Sequence, residues 1–186
     1  MNLDPNVYTG RPEDCSGRLD KEIACYDLLE RLEIPFRRVD HDPADTIADC
    51  EAVDALLGAE ICKNLFLCNR QQTEFYLLLL QGSKVFKTKD LSQQLGVSRL
   101  SFGSAEKMQE LLGLTPGSVT VLGLMNDPEQ RVRLLIDKPL LCAPMFGCHP
   151  CINTSSLLFS TEDLLSKLLP GLGRSYTVVD LPVQAD

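Results

Sequence analysis

The sequence predicts an α+β domain, with a curved, mixed but mostly antiparallel sheet or barrel surrounded by short helices. Three observations point there. Apolar runs of strand length recur at uneven intervals, and two of them, 61–68 and 74–81, flank polar Asn69-Arg70-Gln71-Gln72-Thr73 as in an antiparallel hairpin. Stretches with helical spacing of apolar residues stand between other strands, and all are short. The two kinds of element do not alternate evenly, as a doubly wound parallel sheet would require. With 186 residues, 44% of them apolar, one substantial core can be buried, so a single domain is expected over 18–186.

Residues 1–17 hold two prolines, two glycines and no periodicity, and read as a flexible N-terminal arm. Leu19, Ile23, Tyr26 and Leu29 have helical spacing, with Ser16 as cap and Pro35 as stop. Residues 36–41 read as a strand running into the Asp42-Pro43 turn. Thr46 can cap a helix over 47–57 that Gly58 ends. After the hairpin, Lys87-Thr88-Lys89-Asp90 opens a short helix closing at Gly96, and Ser104 caps another that runs to Leu112 before Gly113. Strands are expected at 118–124, 131–136, 156–159 and 175–181, with a helix over 161–169. The stretch holding Pro139, Pro144 and Pro150 reads as irregular.

The longest apolar run, Phe75 to Leu80, is far too short to span a bilayer, and no basic-then-apolar leader opens the chain. A cytoplasmic protein without membrane contact is expected. A net charge of −8 argues against indiscriminate polyanion binding, and so against DNA. The charge is unevenly spread: residues 1–60 hold 6 Lys and Arg against 15 Asp and Glu, whereas 61–138 hold 10 against 7. A modest basic surface in the middle third could meet phosphates locally.

Familiar chemical signatures are missing. There is no G-x-G-x-x-G, no G-x-x-x-x-G-K-[ST], no H-E-x-x-H and no G-x-S-x-G. Of eight cysteines, most sit in apolar company as small buried hydrophobes. Cys148-His149-Pro150-Cys151 lies late in a proline-containing loop, the wrong place for a redox pair that should open a helix. As a zinc site it could recruit Cys142, but the second paired half of a usual site is missing. His41 and His149 are the only histidines and hence the few candidates for proton chemistry at neutral pH. Lys63, at the mouth of the apolar strand 61–68, has two readings: a snorkelling side chain with its stem on the core, or a functional ammonium.

An ordered set of segments carries a resemblance. It runs through His41-Asp42-Pro43 with Thr46, Cys62-Lys63-Asn64-Leu65-Phe66, and Leu100-Ser101-Phe102-Gly103-Ser104. It continues through Leu112-Gly113-Leu114-Thr115-Pro116-Gly117-Ser118-Val119, Asn126-Asp127, and Gly147-Cys148-His149-Pro150-Cys151-Ile152-Asn153-Thr154. Over roughly residues 20–182 the chain resembles the YbaK-type aminoacyl-tRNA deacylases, above all the free-standing prolyl-tRNA editing branch that hydrolyses Ala-tRNA(Pro). The resemblance implies that family's fold, with Lys63, Asn64 and His149 as catalytic residues. It implies a substrate site built from Thr46, His41, Gly117, Ser118, Gly147, Pro150 and Asn153. Within it, Gly117-Ser118 would offer free backbone N–H groups to the ester, and Lys63 would hold the terminal phosphate. The ester is already activated, so neither metal nor cofactor is implied, and the nucleophile would be water or a ribose hydroxyl of the tRNA. The implied partners are the acceptor end of a mischarged tRNA and prolyl-tRNA synthetase. Cys148 and Cys151 depart from the family pattern, which has apolar residues around His-Pro.

The chemistry behind such an enzyme is general. A missing methylene is worth only ~1–3 kcal/mol of discrimination, so a pocket built for proline cannot strongly reject alanine. A second pocket that admits alanine and excludes proline by size corrects this. Competing readings are a deacylase for Cys-tRNA(Pro) or another small aminoacyl-tRNA, a catalytically silent tRNA- or synthetase-binding module, and a thiol or zinc protein built on Cys148-His149-Pro150-Cys151.

Overall fold

The computed structural model describes residues 1–44 and 46–183. Two sheets organise it. The first is wholly antiparallel and takes the order β1 (Tyr8–Thr9), β2 (Arg37–Asp40), β8 (Ser155–Ser160), β7 (Met145–Cys148). The second has the order β5 (Ser101–Phe102), β3 (Lys63–Cys68), β4 (Phe75–Leu80), β6 (Val132–Asp137), β9 (Tyr176–Val179). Its β5–β3–β4 half is antiparallel, whereas β6 and β9 run parallel to β4.

Strand alternation explains how the layers stack. In β4 the side chains of Phe75, Leu77 and Leu79 enter the main core, and those of Tyr76, Leu78 and Leu80 enter a second one. All six are buried, as the uninterrupted apolar run requires when both faces of a strand are covered. Helices α1 (Asp20–Arg31) and α4 (Ala105–Leu112) close the main core, which lies between the two sheets. Helix α3 (Thr88–Leu95) covers the far face of the second sheet through Leu91. Helix α2 (Ile47–Leu57) covers the far face of the first through Val53 and Leu57, which meet Val39 and Leu158.

Local chemistry sets several boundaries. Thr46 and Asp49 form a reciprocal capping box on α2, and Gly58 ends the helix in the left-handed region. Ser104 caps α4, and Gly113 ends it the same way. Helix α1, by contrast, starts at Asp20 behind Leu19, because the Ser16 hydroxyl is turned to Asp14 instead. The expected strand 118–124 is a 3₁₀ helix, Val121–Asn126. Thr120 accepts from the Leu122 N–H and turns the chain, and Gly123 backs onto Leu114, where a Cβ would come within 2.6 Å of Leu114 Cδ1. The stretch read as irregular holds α5 (Lys138–Cys142), with Pro139 in its first turn, and β7. The helix expected over 161–169 runs Thr161–Asp163, widens to a π turn over Leu164–Leu168, and closes as Leu169–Gly171. Pro170 has no N–H for the turn before it and its ring needs room, which the wider turn supplies.

Residues of the N-terminal arm lie beside β2: Tyr8–Thr9 pair with it, and the Asp4 N–H donates to Asp40 O (3.0 Å). The same strand carries a charge network. Arg18 bonds Asp40 (2.8 Å) and Glu22 (2.5 Å), Arg38 pairs with Asp40, and the Tyr26 hydroxyl donates to Glu22 (2.6 Å). Burial raises the Asp40 carboxyl, but the two guanidiniums outweigh it and hold the pKa at about 2. A folded pKa below the unfolded one means that Asp40's contribution is complete above pH ~4 and disappears as pH falls through about 2. Urea titrations at stepped pH should show this acid loss, whereas Asp40→Asn should remove that part of the slope and lower stability by about 1 kcal/mol at pH 7, less than the full shift because solvent screens the part-exposed carboxylate.

Candidate active site

The two sheets meet at one crossing. Ile61 forms a parallel bridge with Gly147, and the Cys62 N–H donates to Gly147 O (3.0 Å). The approach is tight on both sides. A Cβ on Gly147 would stand 2.6 Å from Ile61 Cδ1 and 3.1 Å from Ile61 Cα, and one on Gly82 would stand 2.6 Å from Ile61 O. Residues 60–61 therefore thread between two glycines, and neither position accepts a side chain without backbone movement. The chains leave the crossing in the same direction. Lys63 and His149 each follow the bridge by two residues on their own chains.

At the start of β3 the side chains alternate. The Lys63 ammonium donates to Lys84 O (2.9 Å), and Lys84 in turn forms a buried ion pair with Asp137 (2.6 Å). Asp137 also accepts from the Leu181 N–H (3.0 Å), so the loop after β4 is tied to both β6 and the chain beyond β9. Asn64 points the other way. Its amide donates to Cys62 O (3.1 Å) and approaches Cys62 Sγ (3.2 Å), while its Oδ1 is buried without a partner. That orphan acceptor is a place where a donor from a ligand would be welcome.

His149 follows β7 in a loop that returns to β8, with Cys151 at φ 61° in the left-handed region and Pro150 buried. Its Nδ1 lies 3.0 Å from Ser155 O and 3.3 Å from Ser156 Oγ. The Ser156 hydroxyl is also 2.9 Å from His41 Nε2, and the two imidazole rings meet edge to face at 6.4 Å. Burial lowers the His149 pKa, the Ser155 carbonyl opposes this, and His41 adds to the lowering. The ring is accordingly neutral near pH 7.

His41 is the link to a cleft of about 840 Å³, whose walls also include Thr115, Ser118, Asn153, Arg18 and Lys21. Gly117 stands at its edge with φ 86°, its Cβ position 3.8 Å from the Asn153 amide. The Ser118 N–H and hydroxyl both donate to Thr115 O (3.0 and 2.8 Å). The turn uses these groups itself, so Ser118 does not present the free N–H that the sequence suggested.

The residues singled out from sequence therefore fall into neighbouring groups. His41, Ser118 and Asn153 line the cleft, with Gly117 beside them; His149 packs behind His41; Lys63, Asn64 and Gly147 belong to the crossing. Lys63, Asn64 and His149 are not walls of the cleft. The Thr46 hydroxyl is occupied in the α2 cap. Ser156 went unnoticed in the sequence because a small polar residue in an apolar strand carries no signal until its neighbours across the fold are known. Two of the cysteines offer little thiolate: burial pushes Cys62 up to about 12 and raises Cys148 well above its usual value. Cys151 Sγ faces Cys25 Sγ at 3.4 Å, not Cys148. Among the described residues, no group of three or more His, Cys, Asp and Glu is gathered that could hold a metal ion, so Cys142, Cys148, His149 and Cys151 do not form the set considered above.

Comparison with known proteins adds a family. Residues 41–167 match the model of the aminoacyl-tRNA editing domain. The prolyl-tRNA editing protein ProX of Acetoanaerobium sticklandii is 31% identical over 88% of this chain and 99% of its own length. The prolyl-tRNA synthetase associated domain-containing protein 1 of Mus musculus is 30% identical over 74% of this chain and 83% of its own. A crystal structure of a candidate trans-editing enzyme for prolyl tRNA synthetase shares the fold, with a TM-score of 0.63 at 19% identity, over 88% of this chain and 97% of that one. The match to the family model spans most of the sequence, and the chain belongs to the aminoacyl-tRNA editing domain family, hydrolases of the ester that joins an amino acid to tRNA.

Proposed function

We propose that this hydrolase acts in trans, in the cytoplasm, to remove alanine from mischarged tRNA(Pro). The reading is supported chiefly by one observation: the crossing at Ile61 and Gly147 brings together the two chain segments that bear Lys63 and His149, and the neighbouring Asn64 Oδ1 is buried without a partner. It is also supported by two relatives named for prolyl-tRNA editing or association with its synthetase.

In this account the tRNA's 3′-terminal ribose and base settle against His41, Gly117, Ser118 and Asn153, with Gly147 and Pro150 fixing the loop that bears His149. The Lys63 ammonium exchanges the Lys84 carbonyl for a phosphate oxygen near the 3′ end, a task for a compact point charge. Asn64 Oδ1 accepts from the substrate. Water or a ribose hydroxyl attacks the ester carbonyl, and neutral His149 accepts the proton released. Prolyl-tRNA synthetase, whose errors this reaction would correct, is the protein partner. Thr46 acts through the placement of α2 rather than by direct contact.

A panel of tRNA(Pro) species charged with alanine, cysteine or proline, offered singly and in competition, tests this. Alanine should be released fastest and proline spared. Faster release of cysteine would reassign the substrate, and tRNA binding without turnover of any ester would make the chain a silent module.

A further inference from the structure

We propose that Ser156 and His41 are positioning residues that, together with the Ser155 carbonyl, hold the His149 imidazole in its Nδ1–H tautomer and leave Nε2 as a bare acceptor. The inference rests on the reading that His149 serves ester hydrolysis, and it gives His41, a wall of the cleft, a task beyond substrate contact.

Two backbone carbonyls decide the proton positions, because a carbonyl oxygen can only accept. His149 Nδ1 lies 3.0 Å from Ser155 O, so it must carry the hydrogen. His41 Nδ1 lies 2.7 Å from Asp42 O, so in the neutral ring it too carries the hydrogen. His41 Nε2 is then a lone pair, and the Ser156 hydroxyl at 2.9 Å donates to it. With its hydrogen committed, Ser156 Oγ turns an oxygen lone pair towards the His149 Nδ1–H, 3.3 Å away. The chain of bonds is consistent in only one direction: His149 Nδ1–H to Ser156 Oγ–H to His41 Nε2, and His41 Nδ1–H to Asp42 O. Reversing either ring sets a lone pair against a carbonyl oxygen.

The surroundings keep this order in place. Ser156 is 1% exposed and His41 7% exposed, so bulk water scarcely competes for the hydroxyl. Ser155 and Ser156 open β8, where antiparallel pairing with Asp40 and Val39 fixes their backbone. Among the described residues Nε2 of His149 has no partner, which leaves it available to a ligand. The chemical consequence is direct. A neutral imidazole with Nδ1–H can take a proton at Nε2 from the attacking water or hydroxyl, and Nδ1–H goes on donating to the Ser155 carbonyl and the Ser156 hydroxyl as the ring becomes cationic. The opposite tautomer has a hydrogen at Nε2 and can accept nothing there.

The test uses the intact ¹⁵N-labelled chain. Long-range ¹H–¹⁵N spectra of neutral histidine separate the protonated from the bare ring nitrogen, and His149 should show Nδ1–H in the wild type. Ser156→Ala should increase the Nε2–H population and lower kcat for Ala-tRNA(Pro) by about tenfold, the order expected for one hydrogen bond, with KM unchanged. Ser156→Thr, which keeps the hydroxyl, should restore both. An Nε2–H signal for His149 in the wild type would overturn the proposal without any variant having to fold. So would a Ser156→Ala protein with unaltered tautomer and kcat. Full activity in His149→Ala would instead remove the reading of the site, and the two failures are distinguishable because the tautomer signals need no turnover.

Discussion

Lys63→Ala should lower kcat/KM for Ala-tRNA(Pro) about 100-fold or more, the order expected when the charge that positions the reacting 3′ end is lost and the ester is misplaced. The side chain is exposed and, among the described residues, its one hydrogen bond is to the Lys84 carbonyl, so the variant should keep its fold, and circular dichroism and urea midpoints should be unchanged. Lys63→Arg should recover only part of the activity, because the guanidinium fork is longer and planar where a compact charge fits. Parallel binding and single-turnover measurements will show whether the loss lies in docking the 3′ end or in the chemical step.

Asp137→Ala should have the largest effect on stability, about 3–5 kcal/mol, because it leaves the Lys84 ammonium buried without its counter-charge. The Leu181 N–H would lose its acceptor as well. Replacing both partners with apolar residues of similar size, as in Lys84→Met with Asp137→Leu, should recover most of that loss, since the double change leaves no unpaired charge. Denaturant titrations of the single and double variants check the prediction. The pair also matters for the site: the carbonyl that receives the Lys63 ammonium belongs to Lys84, so a loosened 81–87 loop should weaken activity before the protein unfolds.

What the sequence could show depended on range. The caps at Thr46 and Ser104 and the helix stops at Gly58, Gly96 and Gly113 were legible because each is settled within a few residues. The six-residue apolar run of β4 announced a strand covered on both faces. The 3₁₀ helix at Val121–Asn126 was not legible, since Val-Leu-Gly-Leu-Met has strand composition and the bend goes with the Thr120 cap and the close approach of Gly123 to Leu114. The parallel pairing of β4, β6 and β9 was hidden for a similar reason: it joins residues far apart in the chain, such as Phe75 with Val132 and Leu134 with Tyr176.

The site divides the same way. Lys63, Asn64 and His149 could be picked out by residue type and motif order. The crossing that brings their two segments together could not, because it joins Ile61 to Gly147, 86 positions apart. Gly147 drew notice as part of a motif, whereas its physical role is to let two backbones touch. The unfavourable acidity of the first 60 residues also has a partial structural answer. Asp40 and Glu22 are consumed by Arg18 and Arg38, and Asp27 by Arg11, so those charges are neutralised within the fold.

The most direct measurement is the rate at which the purified chain, present well below its substrate, releases alanine from Ala-tRNA(Pro) compared with proline from Pro-tRNA(Pro). The account predicts repeated turnover of the alanyl ester, little loss of the prolyl ester, and near-complete loss of the alanyl activity in Lys63→Ala. Equal hydrolysis of both esters, or alanine release undiminished in Lys63→Ala, would contradict it.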